Sequence, residues 1–213
     1  CRAHAEVALL PDGCKGRQAI GGWRNTDLKG NSIPLNTLSG KLLQTRGFRG
    51  TICQPSAVEY LRRRLHGEKM PEVANALAAK AGLISAILPV VQNLSPQDFE
   101  IMVDLIFRQG GWQRASVIGG TEKDVDLYLY SPTTQDRIAI QIKSRSSAQE
   151  LRSYMEKFAS MTDFDRFFYV VHSGGEELLP IAADSHVTVI AGPELGDLVV
   201  RNGLVDWVID KAE

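Results

Sequence analysis

The clearest apolar periodicity lies in the second half of the chain. Phe99, Met102, Val103, Ile106 and Phe107 recur at i, i+3, i+4, i+7 and i+8, which is one stripe of an amphipathic helix. Ser95, Pro96 and Asp98 supply an N-cap, a first helical proline and an acid in the first turn, and Gly110-Gly111 stops the helix. β-rich runs then predict strands at 112–119, 124–130 and 137–143, followed by a helix at 148–159. Further strands are expected at 166–173 and 186–192, and "ELGDLVVRNG" and "LVDWVIDKA" close the chain as helices. An antiparallel opening followed by crossover units predicts an α/β domain, a mixed sheet flanked by helices.

The first half is less regular. Residues 1–54 place short apolar runs such as "AEVALL" between turn-rich pieces ("PDGCKG", "IGGWRN", "LKGNSIP", "TRGFRG"), which predicts short strands and loops. Helices are expected at 55–65 and at 71–82, the second opened by proline and closed by glycine. Pro89 and "QNLSP" mark a boundary near 89–95. The expected organisation is a smaller α+β segment at 1–91 and a main domain at 92–213.

Composition narrows the class. Hydrophobic content of 44% and charged content of 23% suit a soluble globular protein. No run approaches the ~18 apolar residues of a membrane span, "ISAILPVV" being short and holding a proline, so no membrane partner is expected. The chain opens on Cys1 rather than Met, as a trimmed or partial chain would. Cys1, Cys14 and Cys53 are too few for a disulfide framework and point to a reducing, cytoplasmic setting. Cys1, His4 and Cys14 offer three zinc ligands, but without a paired CxxC the cysteines read better as structural or incidental. The net charge of −1 conceals an asymmetry: residues 1–90 hold thirteen Lys/Arg against six Asp/Glu, and residues 91–213 eleven against nineteen. A basic first half suits a polyanionic partner or simply a solvated face. Lys41, Arg62, Arg63, Arg64 and Arg145 are the candidate phosphate contacts. The three successive arginines cannot all face one way on a helix.

The stretch that carries chemistry is "KDVDLYLYSPTTQDRIAIQIKSRS" (123–146). Strand alternation puts Val125, Leu127 and Leu129 on one side with Ile138, Ile140 and Ile142, and Asp124, Asp126, Gln141 and Lys143 on the other. A turn centred on Thr133-Thr134 sets Asp126 across from Gln141 and Asp124 across from Lys143. Cross-strand partners on one face stand roughly 5 Å apart. The bland alternative is the wet side of an amphipathic hairpin. Tyr128 and Ala139 on that same side count against it, as does the lysine lying beside the carboxylates.

"FE" on the first long helix, then "DVDLYLY", then "IQIKS", resembles the catalytic core of the Mrr-type restriction endonucleases, in the PD-(D/E)xK nuclease superfamily. The resemblance covers about residues 94–173. The family's usual G-D-x-G-x-D is "GGTEKDVD" here, closer to the D-V-D of related resolvase-like nucleases. The resemblance implies a restriction-endonuclease-like fold and a Mg²⁺- or Mn²⁺-dependent DNA endonuclease, with a homodimer as the form for paired cuts. It implies that Asp126 is the metal-binding aspartate, that Gln141 replaces the usual acid, and that Lys143 is the catalytic lysine. Glu100 is then the helix carboxylate that completes the site, and the Ile142 carbonyl lies beside the metal. Glu100 falls at the border of the apolar arc, where a carboxylate can reach the sheet rim. Two other readings remain: a catalytically silent nucleic-acid-binding or assembly module of the same fold, and a structural RNA-processing subunit. His172-Ser173, at a strand tip, reads as structural or as a nucleic-acid contact.

Overall fold

A computed structural model describes the chain except residues 1, 4–5, 10, 12, 17–18, 23, 49–53, 116–124 and 184–185. Cys1, His4, Cys53 and Asp124 therefore lie outside the described residues. The chain forms two compact units, Cys1–Leu77 and Ala78–Glu213.

The first unit matches its turn-rich sequence. β1 (Arg2–Ala3) pairs antiparallel with β4 (Ala19–Ile20), and β2 (Ala8–Leu9) with β3 (Lys15–Gly16). A 3₁₀ turn at Leu35–Thr37, the short α1 (Gly40–Leu43) and α2 (Val58–His66) follow. Side chains tie these pieces together. The Tyr60 hydroxyl accepts the Ser39 amide at 2.9 Å, and Arg64 Nη2 donates to Thr37 Oγ1 at 2.8 Å. Gly67, at φ 63°, ends α2 in the left-handed conformation that a Cβ disfavours.

α3 spans Pro71–Gln92, ten residues beyond the expected stop at Gly82, and carries Pro89 inside it. Proline removes the amide that would bond to the Ser85 carbonyl, yet burial of Ile87 and Val91 in the core of the second unit holds this end in place. The division between the units falls within α3, ahead of the boundary expected at 91/92, because this part of the helix belongs to that core. At Gly196 a Cβ would lie 2.8 Å from the Ile84 carbonyl, so only glycine allows the approach to α3. The expectation that no segment could span a membrane does not hold for α3. It has 22 residues, and its most apolar stretch reaches a mean hydropathy of 1.6. Length and composition alone place it in that class, and only 6% of the stretch is buried within the protein.

The second unit continues with α4 (Pro96–Gln109), β5 (Gln113–Arg114), β6 (Leu127–Tyr130), β7 (Arg137–Lys143), α5 (Ala148–Ala159), β8 (Arg166–Val171), the one-turn α6 (Leu179–Ala182), β9 (Val187–Ile190), α7 (Pro193–Arg201) and α8 (Val205–Ala212). The strands form one sheet in the order β5-β6-β7-β8-β9. β5, β6 and β7 pair antiparallel, while β7, β8 and β9 pair parallel. This is the expected mixed sheet flanked by helices. Each face has its own core. Leu127, Leu129, Ile138, Ile140, Val170 and Ile190 meet the buried stripe of α4 and residues of α3, α7 and α8. On the opposite face Ala139, Phe167, Tyr169, Val171 and Val189 meet Leu151 of α5 and Ala182 of α6. The α4 cap forms as expected, with Ser95 Oγ accepting the Asp98 amide at 3.1 Å.

Candidate active site at the hairpin and the end of β7

β6 and β7 pair in the expected register, Leu127 opposite Ile140 and Leu129 opposite Ile138. Alternation fails at one point. The chain bends at Asp126, ahead of the first β6 residue, so Val125 packs with the α5-side core instead of following Leu127. The bend also turns the exposed Asp126 across onto β7. Its amide donates to the Ile140 carbonyl at 3.1 Å. Its Oδ2 accepts the Ile142 amide at 2.6 Å and Gln141 Nε2 at 2.5 Å.

Gln141 is buried, with 5% of its surface exposed. A carboxylate only accepts, so the amide nitrogen must face Asp126 and the oxygen must point away. Gln141 Oε1 is left buried with no hydrogen-bond partner. Such an acceptor is costly unless something binds it. The Ile142 amide and carbonyl point to the same side of an extended strand, so this carbonyl lies on the edge that Asp126 occupies.

Lys143 lies two residues further along the same face of β7 and is half-buried. Nζ pairs with Glu150 Oε1 at 3.1 Å and lies 4.8 Å from the centre of the Tyr154 ring. Burial by itself lowers the ammonium pKa, but bonding to Tyr154 and Glu150 outweighs it, and the group is pushed up to about 12. Lys143 is a fixed positive charge at neutral pH.

The remaining candidates have surroundings of their own. Glu100 is exposed on α4, with no side-chain hydrogen bond or ion pair among the described residues. Those residues also hold no group of three His, Cys, Asp or Glu placed for a metal ion. Arg145 is exposed just past β7, and Lys41 is exposed on α1. Arg62 pairs with Glu59 at 3.2 Å, and Arg64 is engaged by Thr37 within its own unit, so the three arginines do diverge. His172 is structural: Nε2 meets the Val91 carbonyl at 2.8 Å, and the ring stands edge-on to Phe99 at 4.4 Å.

Sequence reasoning missed Glu150, Ser146, Tyr154 and Tyr169, which surround Lys143. The signal for Glu150 was available in Ser147-Ala148-Gln149-Glu150, a helix-start pattern with glutamate at the third helical position. It missed as well the buried Asp104, which pairs with Arg114 at 3.0 Å and Arg108 at 3.6 Å.

A family model described as restriction endonuclease, the Mrr catalytic domain, matches residues 91–199. No curated protein and no solved structure matches the chain.

Proposed function

The chain belongs to the Mrr-type restriction endonuclease family of nucleases, and from that premise we propose that it hydrolyses DNA phosphodiester bonds in a divalent-metal-dependent reaction. One observation carries the reading. Asp126 accepts the amide of the buried Gln141, whose Oε1 has no partner, on the strand face that also presents Lys143. The donors suit Mg²⁺ or Mn²⁺, since a carboxylate, an amide oxygen and a backbone carbonyl are all hard oxygen ligands. Asp126, Gln141 and the Ile142 carbonyl would hold the ion, with Glu100 as the further carboxylate.

A bound divalent ion supplies charge neutralisation at the phosphate and a more acidic water. The rest is the work of this chain. Lys143, permanently charged, offsets negative charge building on the phosphoryl oxygens and orients the attacking water. The Ile142 and Gln141 hydrogen bonds hold the Asp126 carboxylate in one orientation. With Gln141 in place of an acid, the site carries one negative charge fewer, which suits a single ion. Cutting both strands requires two such sites, and a homodimer supplies them.

The second reading is a silent member of the family that binds nucleic acid without cutting it. That the described residues hold no group of three His, Cys, Asp or Glu placed for a metal ion favours it. Calorimetric titration of Mn²⁺ into wild type, Asp126→Asn and Gln141→Glu, beside a plasmid-nicking assay, separates the two. An active site takes up Mn²⁺ and gains about 2.7 kcal/mol of stability at 100 times Kd. Asp126→Asn should erase that gain and Gln141→Glu increase it. A wild type that takes up no metal, even with DNA present, refutes the nuclease reading.

Phosphate contacts are read by salt dependence. Arg145 has no side-chain partner among the described residues. We expect Arg145→Ala to reduce the slope of log K against log salt by about 0.9 on duplex DNA, as losing one phosphate contact would. Neutralising Arg62 and Arg63 together should reduce it by about 1.8. An unchanged slope in either variant returns that position to ordinary solvated surface.

A further inference from the structure

The ammonium of Lys143 has three N–H donors, and its surroundings restrict where they point. Glu150 takes one at 3.1 Å, and the Tyr154 ring flanks the group at 4.8 Å. Glu150 is itself held. Its second oxygen accepts Ser146 Oγ at 3.2 Å, and Ser146 Oγ lies 2.6 Å from the Tyr169 hydroxyl. Serine has a single proton, so when Ser146 donates to Glu150, Tyr169 must donate to Ser146. Tyr169 is fully buried on β8. A directed chain thus runs from the core of the sheet through Ser146 and Glu150 to Lys143.

Local rules would use Glu150 differently. Ser147 Oγ caps the Glu150 amide at 3.2 Å, one half of a capping box. In the complete box the glutamate reaches back to the amide of the capping residue. Here its two oxygens go to Lys143 and Ser146. The pair is also a poor candidate for a stability device. Its side chains are 24% and 38% exposed, and such pairs contribute about 0–1 kcal/mol.

We propose that Glu150 is the positioning residue of Lys143, fixing the ammonium so that its free donor is directed at the reacting phosphate. This rests on the nuclease reading above. The test compares wild type, Glu150→Gln, Lys143→Met, the double variant and Ser146→Ala. Plasmid cleavage is measured with Mn²⁺, DNA affinity without metal, and melting temperature for each protein. Glu150→Gln keeps the shape and removes the charge. It should lower kcat by about 10–100-fold, with KM and metal-free DNA affinity within about twofold. The melting temperature should stay within a few degrees.

In the Lys143→Met background the Glu150→Gln change should cost nothing more, because its effect runs through the lysine. Ser146→Ala leaves both members of the Lys143–Glu150 pair in place, and should give a smaller loss in kcat alone. Wild-type kcat in Glu150→Gln overturns the proposal. So does a loss confined to KM, an equal loss in the Lys143→Met background, or an unchanged kcat in Ser146→Ala. A wild type that cuts no DNA refutes the nuclease reading itself, whereas a wild type and Glu150→Gln that cut equally fast refute only this inference.

Discussion

Asp126→Ala and Lys143→Ala are each expected to lower DNA cleavage by about 10²–10³-fold or more, the scale of losing one preorganised charge at a reacting centre. The two should differ in stability, and the difference is diagnostic. Asp126 Oδ2 accepts two hydrogen bonds from β7, and bonds to a charged acceptor contribute about 1.5–3 kcal/mol each. Its removal should therefore cost several degrees of melting temperature as well as activity. Lys143 leaves behind only a partly exposed ion pair, worth less than about 1 kcal/mol. Lys143→Ala should melt almost where wild type does and still fail to cut. Nicking rates and thermal melts on the three proteins check both halves. Full activity in either variant removes that residue from the site.

Phe99→Ala is the second large effect, this time on folding. Phe99 is 1% exposed and lies in the core cluster with Met102, Val103 and Ile106. Its ring also supports His172, which in turn bonds to the Val91 carbonyl, so one side chain joins α4, the tip of β8 and the end of α3. Truncating a buried phenylalanine costs about 3–5 kcal/mol, combining lost transfer energy with a residual cavity. The midpoint of urea unfolding should fall by the corresponding amount. Trp112 and Trp207 pack against the same cluster and report the transition by fluorescence. A loss below about 1 kcal/mol would mean that the cluster closes over the gap far better than such cavities usually do. Glu100 follows Phe99 on α4, so the same variant should weaken cleavage even at temperatures where the protein is folded.

Strong local signals read correctly from the sequence. The α4 stripe, the Ser95 cap and the α5 limits follow from short-range rules, and the β6–β7 register follows from the turn between them. The failures occurred where tertiary contacts overruled local preference. Pro89 looked like a terminator, but burial of Ile87 and Val91 carries α3 through it. Val125 looked like a partner of Leu127 until the bend at Asp126 moved it to the other core. Arg64, one of the candidate phosphate contacts, also donates a hydrogen bond to Thr37, which the sequence does not display. Glu150 went unread because its pattern is also that of an ordinary helix start, and only the fold brings Lys143 and Tyr169 to it. Strand alternation puts Gln141 beside Asp126, but its orphaned oxygen is a property of packing that no periodicity displays.

The sheet covered on both faces sets a parity rule on how this hairpin can change length. In β7, Ile138 and Ile140 belong to one core while Ala139 and Gln141 belong to the other side. Deleting or inserting one residue within the strand would exchange the two sets, sending isoleucines under α5 and turning the glutamine and lysine into the α4 side. The Ser131–Asp136 turn is free of that constraint. Its closing bonds are local, Gln135 amide to Ser131 carbonyl and Ser131 amide to Asp136 carbonyl, both at 2.8 Å, and Gln135 already tolerates a φ of 61°. Length variation among descendants of this sequence, or in an engineered insertion, can therefore accumulate at the tip of the hairpin. Within β7 it can come only in even steps.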